Sequence, residues 1–119
     1  MNLQCKDIFV LYETLMKIKD SKVPVTTGFA IVRNIKALAP EYESIMEMRN
    51  SIIRSYGEDL GNGQISVPDD KLAAANAELN KVLDTEVEVN LTKLKLSQLE
   101  NLELSIEDIE KLYPIIEEE

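Results

Sequence analysis

The chain has 119 residues, 45% of them hydrophobic and 29% charged, which is the length of one domain with enough apolar material for a core. It contains no histidine and one cysteine, which excludes Ser–His and Cys–His nucleophilic pairs, the commonest zinc ligand, thiolate clusters and an internal disulfide. The net charge of −9 is uneven: residues 1–40 carry six bases against three acids, and residues 41–119 carry seven against nineteen, a balance that excludes nucleic acid and anionic membranes as expected partners.

The N-terminal residues lack a basic start followed by an apolar stretch, so no secretory signal is expected. The longest apolar run, Ile8-Phe9-Val10-Leu11-Tyr12, is far shorter than the ~20 residues of a membrane span. These features, with the lone Cys5, point to a cytoplasmic chain. Over residues 5–19, Ile8, Leu11, Tyr12, Leu15 and Ile18 fall at helical spacing. A buried strand over 8–12 is the alternative, and the ten further residues of helical pattern favour a helix. Asp20-Ser21-Lys22-Val23-Pro24 stops it.

A second, long helix is predicted over 27–56, capped by Thr26 or Thr27. Its stripe is Ile31, Ile35, Leu38, Tyr42, Ile45, Ile52 and Tyr56, with Arg49 interrupting. Gly28, Val32, Ala39, Met46 and Ile53 form a parallel row. Unbroken, this helix is about 45 Å long, against a diameter of about 35 Å for a compact domain of this size. Either Pro40 kinks or splits it, or it projects; a kinked helix that still projects, forming a hairpin with the first, reconciles the two.

Gly57 suits a helix C-cap, and Gly61-Asn62-Gly63 suits the tip of a small β-hairpin in which Ile65 and Val67 share a face. A third helix over 68–83 starts at Pro68, with Asp69 and Asp70 in its first turn and Leu72, Ala75, Leu79 and Val82 as its buried stripe. The period then changes to two. Val87, Val89 and Leu91 alternate with Glu86, Glu88 and Asn90, the pattern of a half-buried strand, which Leu94 and Leu96 extend. Two short helices come next. Ser97-Gln98-Leu99-Glu100 and Ser105-Ile106-Glu107-Asp108 each pair a capping residue with an acid three places on, and Ile106, Ile109, Leu112 and Tyr113 are expected to face inward before Pro114.

Little in this sequence carries chemistry. Gly57, Gly61 and Gly63 form no phosphate-binding loop. The acid sets Glu41/Glu43/Glu47 and Glu107/Asp108/Glu110 read as solvated helical faces. Cys5 reads as a small buried hydrophobe, and Arg49 as a side chain that snorkels to solvent or pairs with an acid such as Glu78. No catalytic, metal-ligating or cofactor-binding residue is assigned.

The order of parts resembles a known family. The helical hairpin ends in Ser55-Tyr56-Gly57-Glu58. Val67-Pro68-Asp69-Asp70-Lys71 comes after it, then Glu78-Leu79-Asn80, Val82-Leu83, Glu86-Val87-Glu88-Val89 and Leu104-Ser105-Ile106-Glu107-Asp108-Ile109 with Leu112. This is similar to a family of small proteins of unknown function encoded by tailed phages and prophages of Firmicute-type bacteria. The resemblance implies a viral accessory or structural protein, in the host cytoplasm or the virion, and assigns no site residue.

The expected fold is α+β, predominantly helical: a single domain over 1–119, with a long helical hairpin (1–57) followed by a small antiparallel β element, a helix, a strand and short C-terminal helices (58–119). The expected function is non-enzymatic association with protein, most simply with further copies of the chain, through Ile45, Met46, Arg49, Ile52, Ile53 and Tyr56 on the projecting helix. An acidic inhibitor of a host or defence protein, presenting carboxylates where its target expects phosphates, is the alternative.

Overall fold

The computed structural model describes residues 1–61 and 63–117. It is α+β and mostly helical, with four α-helices and three two-stranded pairings among these residues.

Helix α1 spans Cys5–Ile18. Of the predicted stripe Ile8, Leu11, Leu15 and Ile18 are buried and Tyr12 is half-buried, and Cys5 and Thr14 are buried beside them. The Thr14 hydroxyl is satisfied within the helix, donating to the Val10 carbonyl at 2.8 Å. After a turn at 19–24, α2 runs Val25–Tyr56 without interruption. Its N-cap is Pro24, and no side chain caps it. The expected cap residue Thr27 instead lies inside the first turns and is buried, where its hydroxyl accepts from Gln98 Nε2 at 3.4 Å.

Pro40 does not split α2. Proline removes one backbone donor and leaves the Lys36 carbonyl without its helical partner. Because Pro40 is exposed, that loss falls on the solvent side, where water can take the carbonyl. The two helices run antiparallel: Tyr42 stacks on Tyr12 and Phe9, at 4.4 and 5.1 Å between ring centres. Helix α1 therefore ends its cover of α2 near Ile45, and the last eleven residues of α2 extend beyond it by about 16 Å.

A hairpin and a third helix meet that extension. Strands β2 (Glu58–Asp59) and β3 (Ile65–Ser66) form the expected antiparallel hairpin, with Glu58 opposite Ser66 and Asp59 opposite Ile65. Gly61 and Gly63 take φ of 87° and 82°, as a tight turn requires; Asn62 of the predicted tip lies outside the described residues. Gly57 behaves differently from a left-handed C-cap, with φ −95° and ψ 166°.

Helix α3, Asp69–Leu83, returns along α2 with Pro68 as its N-cap. Only Ala75 of its predicted stripe is fully buried; Leu79 and Val82 are half-buried and Leu72 is exposed. The small Ala75 lets the helix backbones approach, so the larger neighbours sit at the margins of the contact.

Strand β4 (Glu86–Glu88) pairs with the N-terminal strand β1 (Asn2–Gln4), which is too short to show a period in the sequence. The pairing is antiparallel, Leu3 opposite Val87, and continues as the Cys5 N–H donating to the Thr85 carbonyl at 2.9 Å. Leu94 does not extend β4. It begins β5 (Leu94–Lys95), which pairs in parallel with β6 (Ile116–Glu117).

Between them come a 3₁₀ turn (Leu96–Leu99), helix α4 (Ile106–Leu112) and a second 3₁₀ turn (Tyr113–Ile115). Ser105 caps α4 as predicted, accepting from the Asp108 N–H at 3.0 Å. Ser97 does not cap the first turn; Lys95 takes that place and its N–H donates to Gln98 Oε1 at 2.8 Å. The core gathers Ile8, Leu11 and Leu15 of α1, Ile31, Leu38 and Ile45 of α2, and Leu94, Leu99, Leu112 and Ile115 of the C-terminal segment. Helix α1 is thus enclosed between α2 and the C-terminal wrap.

Candidate association surface

The six residues predicted to form an association surface divide in two. Ile45 and Ile52 are buried within the chain itself. Ile45 belongs to the main core, and Ile52 is buried on the stretch of α2 that lies beyond α1. They hold the chain together and are not available to a partner, which corrects the prediction. The reason is α3: a sequence pattern shows that one side of a helix is apolar but not which later segment folds back to cover it. Met46, Ile53 and Tyr56 are half-buried, and Arg49 is exposed.

The Tyr56 hydroxyl donates to Glu78 Oε1 at 2.9 Å, tying the end of α2 to α3. This bond to a carboxylate holds the Tyr56 pKa above its ordinary value, with burial and the Glu78 charge acting the same way. Glu78, the acid suggested for Arg49, is thus engaged by Tyr56. Arg49 rims an apolar groove of about 260 Å³ whose walls are Phe9, Val10, Ile45, Leu79 and Leu83, with Lys6 at its edge. The aliphatic stem of an arginine suits such a position, with its charge in water.

Cys5 is buried at the start of α1. Burial raises its pKa, and the Glu41 carboxylate raises it further. Both effects disfavour the thiolate, the form that attacks electrophiles or binds metal. Among the described residues no group of three or more His, Cys, Asp or Glu side chains is placed to hold a metal ion, and no helix is long and apolar enough to cross a membrane.

Met48, Leu60 and Leu72 are exposed around the far end of α2, and two further sets of exposed apolar residues lie elsewhere. On α2, Val25, Phe29 and Val32 point outward, on average about 140° around the helix from the buried stripe of Ile31 and Leu38. On α4, Ile106 and Ile109 are exposed, and so is Tyr113 directly after it. This overturns the inward placement of these three. Leu112, about 60° around the short helix from Ile109 and about 120° from Ile106, is the residue α4 buries.

The signal for both surfaces is present in the sequence. Val25-x₃-Phe29-x₂-Val32 is a second helical stripe on the side away from the first. Seven-residue α4 has Leu112 and the adjacent Ile115 for its inner side, leaving Ile106 and Ile109 on the outer one.

No family model matches the chain, and neither a curated protein nor a solved structure is found to be similar to it.

Proposed function

We propose that this is a non-enzymatic accessory or structural protein that works by associating with protein, primarily with further copies of itself, and that it is encoded by a phage or prophage. The observation that carries the association is surface area. The chain exposes 8002 Å², where a compact monomer of its 13.5 kDa mass exposes about 6,500 Å². Its radius of gyration is 17.1 Å against about 13.5 Å for a compact chain of this length. Helix α2, about 48 Å long by its rise per residue, sets the 49 Å long dimension of the molecule. A shape of this kind keeps apolar side chains such as Val25, Phe29 and Ile106 in water until a partner covers them. The phage or prophage origin rests on the sequence resemblance alone.

Sedimentation equilibrium tests this reading. A mass that rises above 13.5 kDa with protein concentration is expected; a strict monomer at the highest attainable concentration would refute self-association. Mass spectrometry of purified particles then separates a virion component from a factor left in the host cytoplasm. The acidic-inhibitor reading ranks second because the acids fall on separate elements: Glu43 and Glu47 on α2, Asp69 and Asp70 on α3, Glu86 and Glu88 on β4.

A further inference from the structure

Two exposed stripes on different helices carry opposite charge. On α2, Val25, Phe29, Val32 and Lys36 are separated by four, three and four residues, so one side of the first turns presents them all. Val25 is 87% exposed, Phe29 63% and Val32 47%. Arg33 flanks this stripe, its guanidinium carbon 5.9 Å from the centre of the Phe29 ring. Residues 19–40 contain four bases and one acid. On α4, Ile106, Ile109 and Glu110 share one side, and Tyr113 continues it. Ile106 is 86% exposed and Ile109 40%. Residues 100–117 contain six acids and one base.

Some of these acids are engaged within the chain: Asp108 with Lys17 at 3.0 Å and Glu107 with Lys111 at 3.1 Å. Among the described residues, Arg33, Lys36, Glu103 and Glu110 enter no such ion pair.

We infer that the α2 stripe of one copy seats on the α4 stripe of the next, a contact that rests on the self-association proposed for this chain. Charge selects this arrangement over the symmetric ones. Two α2 stripes paired antiparallel about Phe29 would set Val25 against Val32, but they would also set Lys36 against a second Lys22. Two α4 stripes paired on each other would crowd Glu103, Glu107 and Glu110 of both copies. Like charges so placed oppose association. The unlike pairing lays Val25, Phe29 and Val32 on Ile106 and Ile109, and brings Arg33 and Lys36 to Glu103 and Glu110. Each copy carries both stripes, so the contact closes either reciprocally as a two-fold dimer or head to tail as a ring or filament.

Charge exchange tests this. One variant carries Arg33→Glu and Lys36→Glu, the other Glu103→Lys and Glu110→Lys, all at exposed positions. Each alone is expected to sediment as a monomer with wild-type circular dichroism, because its two stripes have become alike in sign. An equimolar mixture is expected to regain the wild-type mass, because each acidic stripe again meets a basic one. Val25→Glu, at the most exposed position, supplies a variant with no fold to disturb and is expected to weaken association at least about tenfold.

If wild-type protein associates while both charge variants and Val25→Glu associate equally well, copies meet through another surface and this contact is wrong. If the mixture of two monomeric variants stays monomeric, the pairing of α2 with α4 is wrong. A monomeric wild type would sink both this contact and the self-association beneath it.

Discussion

The side chain of Asn34 and the backbone of Thr92 exchange two hydrogen bonds: Asn34 Nδ2 donates to the Thr92 carbonyl at 2.8 Å, and the Thr92 N–H donates to Asn34 Oδ1 at 2.7 Å. Asn34 has no exposed surface, so this ring fastens the N-terminal third of α2 to the segment joining β4 to β5. A primary amide suits the position because it offers a donor and an acceptor side by side. The irregular backbone at 90–93 would otherwise bring two polar groups into the interior unpaired.

Asn34→Ala should destabilise the chain by roughly 2–4 kcal/mol, since both groups of Thr92 then lose their partners, and urea unfolding measures it. Asn34→Asp separates the two bonds. Its carboxylate can accept from the Thr92 N–H but faces the carbonyl with a second acceptor. Protonated, the acid again offers both a donor and an acceptor. Burial and the facing carbonyl raise the folded-state pKa of this acid above its unfolded value. The variant should therefore lie well below wild type at neutral pH and regain stability relative to wild type as pH falls through that raised pKa. A deficit that does not change with pH would contradict this account.

The same Asn34 shows where sequence reading stops. Every α-helix of the fold is legible: apolar spacing marks α1 and α2, the acids after Pro68 mark α3, and Ser105 marks the start of α4. So is the hairpin, from Gly61 and Gly63. Each depends on neighbours within a few positions. Asn34, in contrast, is a polar residue amid an apolar helix, and its partner lies 58 positions away.

The strand pairings escape sequence reading for the same reason. The alternation at Val87 and Val89 announces a strand but not that Leu3 lies opposite Val87. Leu94 joins Ile116 because the intervening chain turns back through α4. Of the proposed association surface, Arg49 is exposed. The burial of Ile45 and Ile52 comes from long-range packing, which local spacing does not reveal.

Gly57 is required for space, not for an unusual backbone angle. Its φ and ψ are open to any residue, but a Cβ added there would meet Ile65 Cγ2 and lie 2.6 Å from the Ile53 carbonyl oxygen. The isoleucine can turn aside, whereas the carbonyl belongs to the last turns of α2 and cannot without loosening the helix. Gly57→Ala should therefore cost about 1–3 kcal/mol, the range for overpacking a filled site. Ile65→Ala should relieve only part of this, so a double-mutant cycle should give a coupling energy smaller than the full cost. Complete relief would show that the carbonyl contact does not matter.

Asp108 positions α4, and with it the exposed face of Ile106 and Ile109. Its carboxylate accepts from Lys17 Nζ at 3.0 Å across the α1–α4 contact, while its own N–H is held by the Ser105 cap. The hydrogen bond from Lys17 is the largest cause of a carboxyl pKa below its ordinary value; desolvation opposes it, and the hydrogen bonds of Ser105 and the charge of Lys17 lower the pKa further. A pKa depressed on folding adds stability above the unfolded value, near 3.9, and this is lost as pH falls through the lower folded value. The acid limb of a stability–pH curve should therefore be steeper in the wild type than in Asp108→Asn, and the two curves should converge at the lowest pH. Ser105→Ala removes the cap and should shorten amide-exchange protection in α4 first. If Asp108→Asn leaves the acid limb unchanged, the Lys17 bond does not hold this helix on α1, and the face it presents must be set by the packing of Leu112 and Ile115 alone.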